Sequence, residues 1–138
     1  MSFYSERHIK SVRKARQCCG CTSMLNVGDP ALACSGINYD NDFCDGTYHH
    51  DCREAELALN KLHDTHWDEW VSLAEIEWDD YPWLLADFPT VAARMNITQE
   101  RYDNIAAEQA RMWEWSCEQA RKREAERQSE IAARHAPL

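Results

Sequence analysis

Apolar residues recur at helical spacing from about Arg53 onward. One stripe advances in steps of three or four residues and comprises Leu59, Leu62, His66, Trp70 and Leu73. A second stripe lies beside it and comprises His63, Trp67, Val71, Ala74 and Trp78. Because this spacing places side chains on one side of a helix, the pattern predicts a helix from Arg53 to about Trp78 that is covered on a wide face.

Two prolines, Pro82 and Pro89, interrupt the pattern that follows. Since proline ends helices, we expect one short helix over 83–87 and another over 90–95. Thr98 can cap a last, long helix. The residues predicted to form its packing face recur at helical spacing and are Tyr102, Ile105, Gln109, Met112, Ser116 and Ala120. Three neighbouring residues widen this face, namely Ala106, Trp113 and Cys117. After residue 120 large apolar side chains almost disappear, so the helix should end in solvent.

The first 52 residues lack this long periodicity. Residues 1–17 carry five cations, and we interpret them as a basic arm or first helix. Residues 18–52 contain Gly28-Asp29-Pro30, Asp45-Gly46 and many further Asn and Asp residues. Because these residue types favour turns, the stretch is expected to form short hairpins rather than long elements.

Two short pairs of metal-ligand residues lie in this loop-rich stretch. Cys18 and Cys21 form a C-x2-C pair, and His49 and Cys52 form an H-x2-C pair at the start of the predicted helix. A tetrahedral zinc ion takes four such ligands, and helical positions three apart can point at the same ion. The sequence therefore predicts one Zn²⁺, which is structural because four protein ligands leave no position for water.

Other cysteines and histidines leave the ligand set partly open. Cys19 and His50 compete with their neighbours, and the two-residue spacer favours Cys18 and His49. Two further cysteines between the pairs are expected to be small buried hydrophobes rather than replacement ligands, namely Cys34 and Cys44.

These elements together predict a mainly α fold. A small treble-clef-like zinc module with short hairpins packs on a helical body that ends in a long C-terminal helix. The length of 138 residues predicts a single domain over 1–138. Within it we distinguish the basic arm or helix at 1–17, the zinc module at 18–55 and the helical body at 56–138.

Residues 10–55 resemble a group of small zinc-binding proteins common in bacteriophages and prophages. The resemblance is carried by Arg13-Lys14-Ala15-Arg16, the C-x2-C pair, Gly28-Asp29, Tyr48, the H-x2-C pair and Ala55. It implies a metal-stabilised, phage-type accessory protein without an assigned reaction. Cys19 and the acidic, Trp-rich helical extension depart from the pattern, and we expect that extension to serve any special function.

Charge favours a protein partner. The net charge is −9, and residues 53–109 hold 13 of the 24 acidic side chains with only 4 basic ones. Such a field disfavours nucleic acid and favours a basic protein surface. Six residues are predicted to bind the partner: Trp67, Asp68, Glu69, Glu75, Trp78 and Asp79. The predicted function is therefore binding, and inhibition, of a host protein such as a nucleic-acid-handling defence complex.

The expected location of the protein and the expectation that it is not an enzyme follow from features that the sequence lacks. It has no apolar run long enough to span a membrane and no apolar signal segment, so we expect the host cytoplasm and no membrane partner. It also has no nucleophile paired with a base, no phosphate loop and no open metal position. The chain is therefore not expected to be an enzyme.

The alternative function is a DNA-binding transcriptional regulator that uses the basic arm and the helix-turn-helix-like segment 90–108. Residues 90–108 resemble a helix-turn-helix whose second helix offers Gln99, Arg101 and Asn104 to a groove. However, the stretch 82–111 contains three Arg and four acids, which is a poor match to phosphates. A helical corner used for packing is the favoured interpretation.

Overall fold

The computed structural model describes residues 3–37, 43–66 and 69–137. Contacts group the chain into two compact units, Met1–Gln99 and Glu100–Leu138. The single domain expected over 1–138 stays a prediction.

The N-terminal unit contains two small antiparallel sheets. One pairs the short strands β2 and β3, and the other has the strand order β1-β4-β5. The strands are β1 (Phe3–Ile9), β2 (Arg16–Gln17), β3 (Met24–Leu25), β4 (Ala31–Ile37) and β5 (Phe43–Tyr48). The short hairpins predicted from the turn residues of 18–52 are therefore present.

Residues 3–9 form a strand, so the helical alternative for residues 1–17 is wrong over this stretch. β1 pairs with β4 along its whole length, from Phe3 opposite Ile37 to Ile9 opposite Ala31. Strand geometry turns alternate side chains to one face, and Tyr4 and Glu6 accordingly both reach Arg53. The strand conformation of residues 3–9 depends on pairing with β4, which lies more than twenty residues away, so the local sequence does not reveal it.

The first helix, α1 (His50–Leu62), is much shorter than the helix predicted to reach Trp78. Asp64 adopts a φ of 49°, a left-handed conformation that ends helices. After this point the buried side-chain amide of Asn60 bonds the backbone of the following segment, which no longer continues the helix. The Asn60 amide donates to the Val71 carbonyl oxygen and accepts from the Val71 amide nitrogen, each over 2.8 Å. Hydrogen bonds to Asn60 on α1 thus hold the segment that the sequence predicts as the second half of the helix.

The rest of the N-terminal unit is built from short helices. The 3-10 helices Leu73–Glu75 and Trp78–Asp80 lead into α2 (Tyr81–Asp87) and α3 (Pro89–Arg94). The two short helices expected around the prolines are therefore confirmed. Asn96, with a φ of 59°, lies between α3 and the long helix α4 (Gln99–Arg134).

The core of this unit lies where α1 meets the 3-10 helices, α2 and α3. Its fully buried apolar side chains include Leu25, Leu59, Leu73, Leu84 and Val91. The apolar stripes place His63 and His66 on the covered face of a helix, but both are exposed because α1 ends before them. His63 instead forms a 2.7 Å contact from Nε2 to Asp80.

The C-terminal unit consists of α4, which has no buried residue. The stretch after residue 120 is exposed as predicted. The predicted packing face is wrong at Met112 and Trp113, which are 58% and 71% exposed, whereas Tyr102, Ile105 and Cys117 are half-buried. Within the described part of the chain, each helix is too short or too polar to span a bilayer.

Candidate metal centre

The first two cysteines of the site lie in the tight turn between β2 and β3. The Cys18 amide donates to the Ser23 carbonyl oxygen over 2.8 Å, and the Thr22 amide donates to the Cys18 carbonyl oxygen over 3.1 Å. Thr22 has a φ of 65°, which lets the chain reverse within so few residues. The turn places the Cys18 and Cys21 side chains on the same side, and both are buried.

The other two residues lie at the amino end of α1. His49 is the N-cap residue, with extended φ and ψ of −61° and 147°, and Cys52 lies in the first turn. The exposed amides and dipole of a helix amino end favour negative charge, so this position suits a thiolate. Consistent with this, the His49 amide donates to Sγ of Cys18 over 3.4 Å.

The two pairs converge on one point. The ligand atoms of Cys18, Cys21, His49 and Cys52 all lie within 4.8 Å of one another. Nδ1 of His49 lies 3.4 Å from Sγ of Cys21 and 3.7 Å from Sγ of Cys52. A tetrahedral zinc ion with ordinary Zn–S and Zn–N bonds requires sulfur-to-nitrogen separations of about 3.6 Å. The two sulfur-to-nitrogen distances therefore match those of tetrahedral coordination, and the four residues form a candidate metal-binding site.

The site also favours ionised sulfur. The pKa of Cys18 is lowered to about 4, mainly because Cys52 donates to its sulfur, with further donation from the His49, Cys21 and Gly20 amides against the opposing effect of burial. The pKa of Cys52 is raised because its proton is shared with Cys18 and because it is buried. One thiolate is thus stabilised before any metal binds, and metal binding displaces the remaining protons.

The guanidinium group of Arg94, on α3, lies beside the cluster. Arg94 donates to Sγ of Cys52 over 3.3 Å and to a carboxylate oxygen of Asp51. Thr90 donates to the same carboxylate over 2.7 Å, and Ser23 donates to the Arg94 carbonyl oxygen over 3.1 Å. α3 is therefore joined to both halves of the site. Sequence spacing could not reveal Arg94, because it lies more than forty residues from Cys52 and belongs to no ligand motif.

The competing ligands lie elsewhere. Cys19 is exposed, although partial burial of its sulfur raises its pKa. His50 stacks on His8 with ring centroids 5.1 Å apart. Cys34 is a buried free thiol on β4, in line with the expected small hydrophobe, whereas the Cys44 side chain lies outside the described residues. The geometry thus selects the ligands that the two-residue spacer favours.

A second buried polar cluster escaped the sequence analysis. The Arg53 guanidinium lies 5.2 to 5.5 Å from the ring centroids of Tyr4, Tyr48 and Trp70. It donates to Glu56 over 2.7 Å, and the other carboxylate oxygen of Glu56 accepts from the Leu73 amide over 3.1 Å. The spacing of Arg53, Glu56 and Asn60 along α1 was the available signal, since a single helical face carries all three.

The residues predicted to bind a partner fall into two groups. Trp67 and Asp68 lie outside the described residues. Glu69, Glu75 and Asp79 are exposed, and Trp78 beside them is half-buried. The described residues of this set lie on the segment after α1 and on its two 3-10 helices, rather than on one face of a continuous α-helix.

No family model, curated protein or solved structure matches the chain.

Proposed function

We propose that Cys18, Cys21, His49 and Cys52 hold one structural zinc ion. The observation that carries this is the convergence of three sulfur atoms and one imidazole nitrogen within 4.8 Å. Three thiolates and one imidazole form a common structural zinc set, and soft sulfur ligands favour zinc over hard cations. The order of cysteine turn, hairpin and helix also supports a treble-clef-like module.

The zinc is needed because the module has little core of its own. The two strands β2 and β3 comprise only two residues each. A sheet of this size is not stable in water by itself. Metal binding free energy becomes folding free energy in such a site, so the zinc stabilises the turn against α1.

The role we propose for the whole chain is non-enzymatic binding of a protein, in the manner of a phage-encoded accessory protein that binds and inhibits a host complex. Four protein ligands leave the metal no position for a substrate or a water molecule. Function then depends on the surface. This part of the proposal is supported by the resemblance of residues 10–55 and by the exposed carboxylates of Glu69, Glu75 and Asp79.

The acidic surface, defined as Glu69, Glu75, Trp78 and Asp79, is the proposed contact. Its three carboxylates form no ion pair with another described residue. Trp70, which is 40% exposed, adds an aromatic side chain on the same segment. Unpaired carboxylates beside tryptophan suit a partner surface rich in Arg and Lys.

Capture from bacterial lysate tests this role. The zinc-loaded protein should retain a specific protein that the triple variant Glu69→Gln, Glu75→Gln, Asp79→Asn fails to retain. A matched control neutralises three exposed carboxylates of α4 and should capture as the wild type does, with Glu108→Gln, Glu114→Gln and Glu126→Gln. Capture of nothing, or equal capture by both variants, would contradict the proposed contact.

A further inference from the structure

The N-terminal unit carries a second, oppositely charged surface. Residues 7–16 contain five basic side chains and no acidic one, and we define the basic surface as Arg7, Lys10, Arg13, Lys14 and Arg16. All five side chains are exposed. Within the described ranges none of them forms an ion pair. Their charge is therefore available to an external anion.

Two hollows flank this surface. Arg7, Lys10, Arg13 and Arg16 line a hollow of about 680 Å³, and none of the described residues in its wall carries a carboxylate. Arg7 and Arg16 also line a second hollow of about 440 Å³, together with hydroxyl side chains on the sheet and one acid, Asp45. Arg7 and Arg16 thus line both hollows.

The backbone beneath the basic surface is held firmly. Val12 is buried, its amide donates to the Asp29 carbonyl oxygen over 2.8 Å, and its carbonyl oxygen accepts from Gly28 over 2.9 Å. Arg7 lies in the middle of β1, paired opposite Ala33, and Arg16 lies on β2. Cations on an anchored backbone lose less freedom when a ligand binds.

We propose that the basic surface binds the phosphate backbone of a nucleic acid. Arginine forks match phosphate oxygens, and serine and threonine hydroxyls commonly add backbone contacts. Ser5, Ser35 and Thr47 supply such hydroxyls in the second hollow. The contacts are to phosphate rather than to bases, so the binding is independent of sequence.

The surroundings favour nucleic acid over other anionic partners. No large apolar side chain is exposed between Arg7 and Arg16. Met24 and Val27 on the neighbouring hairpin are 51% and 66% exposed, but they are single side chains rather than the apolar helix face that anchors a protein to a lipid surface. An acidic protein partner would use aromatic or aliphatic anchors in the centre of its interface, and this stretch offers none. The basic surface is therefore an array of cations without ion-pair partners among the described residues, and such an array suits the phosphates of a nucleic acid.

The net charge of −9 does not prevent this contact. The acidic excess lies in residues 53–109, whereas residues 1–52 contain five basic and six acidic side chains. At physiological salt, exposed charges interact over only about 8 Å. The inference is independent of the acidic surface, and the two together describe a protein that contacts a basic protein and a nucleic acid through different residues.

Fluorescence anisotropy with a labelled DNA duplex of mixed sequence tests the proposal on the zinc-loaded full chain. If about four phosphates are contacted, the logarithm of the binding constant falls against the logarithm of salt concentration with a slope of about −3.6. Arg7→Gln with Arg16→Gln should weaken binding at least about tenfold and reduce that slope by about 2. Lys10→Gln with Arg13→Gln should act similarly, so the result does not depend on one variant.

The control removes two exposed cations from α4 by Arg121→Gln with Arg123→Gln and should bind as the wild type does. The proposal is overturned if the wild type shows no salt-sensitive binding, or if the control weakens binding as much as Arg7→Gln with Arg16→Gln. It is also overturned if phosphatidylserine vesicles bind while the duplex does not, or if Arg101→Ala alone abolishes binding. Neutralising the acidic surface should not weaken duplex binding, so the two proposals fail separately.

Discussion

The guanidinium group of Arg94, on α3, donates a hydrogen bond to the Sγ atom of Cys52, on α1, over 3.3 Å. Three thiolates around one Zn²⁺ leave the centre with a net negative charge, which this cation offsets. Arg94 also pairs with Asp51, whose pKa is lowered by donation from Thr90 and Arg94 although burial acts to raise it. Arg94 is thus both a structural link and an electrostatic partner of the proposed metal site.

Replacing this cation should loosen the metal. Arg94→Met keeps the length of the side chain but removes its donors, and we expect zinc transfer to a chromogenic chelator to become about tenfold faster. Thr90→Val, which removes only a hydrogen bond to Asp51, is the matched control and should change the rate far less. Equal rates for Arg94→Met and the wild type would show that the contact does not influence the site.

Asn60 should contribute strongly to stability. Its side chain makes hydrogen bonds with Val71, Glu56 and Thr65 in a buried position. Asn60→Ala leaves several of these groups without partners and should lower the free energy of unfolding by about 3 kcal/mol in urea titrations. Asn104→Ala, at an exposed position on α4, should change it by less than about 0.5 kcal/mol. A small effect of Asn60→Ala would mean that the 63–73 segment is held in another way.

Gly20 should be required for the cysteine turn. A Cβ atom at this position would lie 2.9 Å from Cβ of Cys52 and 3.2 Å from Cδ2 of Leu73, closer than carbon atoms normally approach. Gly20→Ala should therefore displace Cys52 and weaken zinc binding in chelator competition.

Gly28→Ala is the comparison for this variant. Gly28 has a φ of 97°, and a Cβ atom added to it would meet no other atom within 4 Å, so backbone strain alone should cost about 1 kcal/mol. Its zinc content should remain that of the wild type. Equal zinc affinity for the two alanine variants would contradict the close packing around Gly20.

Stability should fall in alkaline solution through Tyr48. Burial and a hydrogen bond with Glu56 raise the pKa of Tyr48 above its ordinary value of 10.0. The folded protein then keeps a proton that the unfolded chain releases, so the free energy of unfolding decreases as the pH rises above about 10. Urea titrations at increasing pH should show this decrease, and Tyr48→Phe should reduce it. An unchanged pH dependence in Tyr48→Phe would exclude this origin.

The sequence was most informative where the relevant residues are close along the chain. The spacing of Cys18 to Cys21 and of His49 to Cys52 predicts the cluster because each pair lies within one turn of backbone. The prolines likewise mark α2 and α3, since the effect of proline on a helix is local.

It was least informative where distant polar groups decide the structure. The apolar stripes from Leu59 to Trp78 fit a continuous helix, yet the hydrogen bonds of Asn60 and Glu56 hold the following segment in another conformation. The pairing of β1 with β4 depends in the same way on residues far apart in sequence. On α4, helical spacing alone could not distinguish a packed face from an exposed one, as Trp113 shows.

Metal content of the untagged chain, measured by native mass spectrometry together with elemental analysis, tests the central claim most directly. We predict one zinc ion per chain in the wild type and in Cys19→Ser, and loss of the ion in Cys21→Ser and Cys52→Ser. A wild-type chain that folds without bound metal, or a Cys52→Ser variant that retains a full equivalent of zinc, would contradict the four-ligand site.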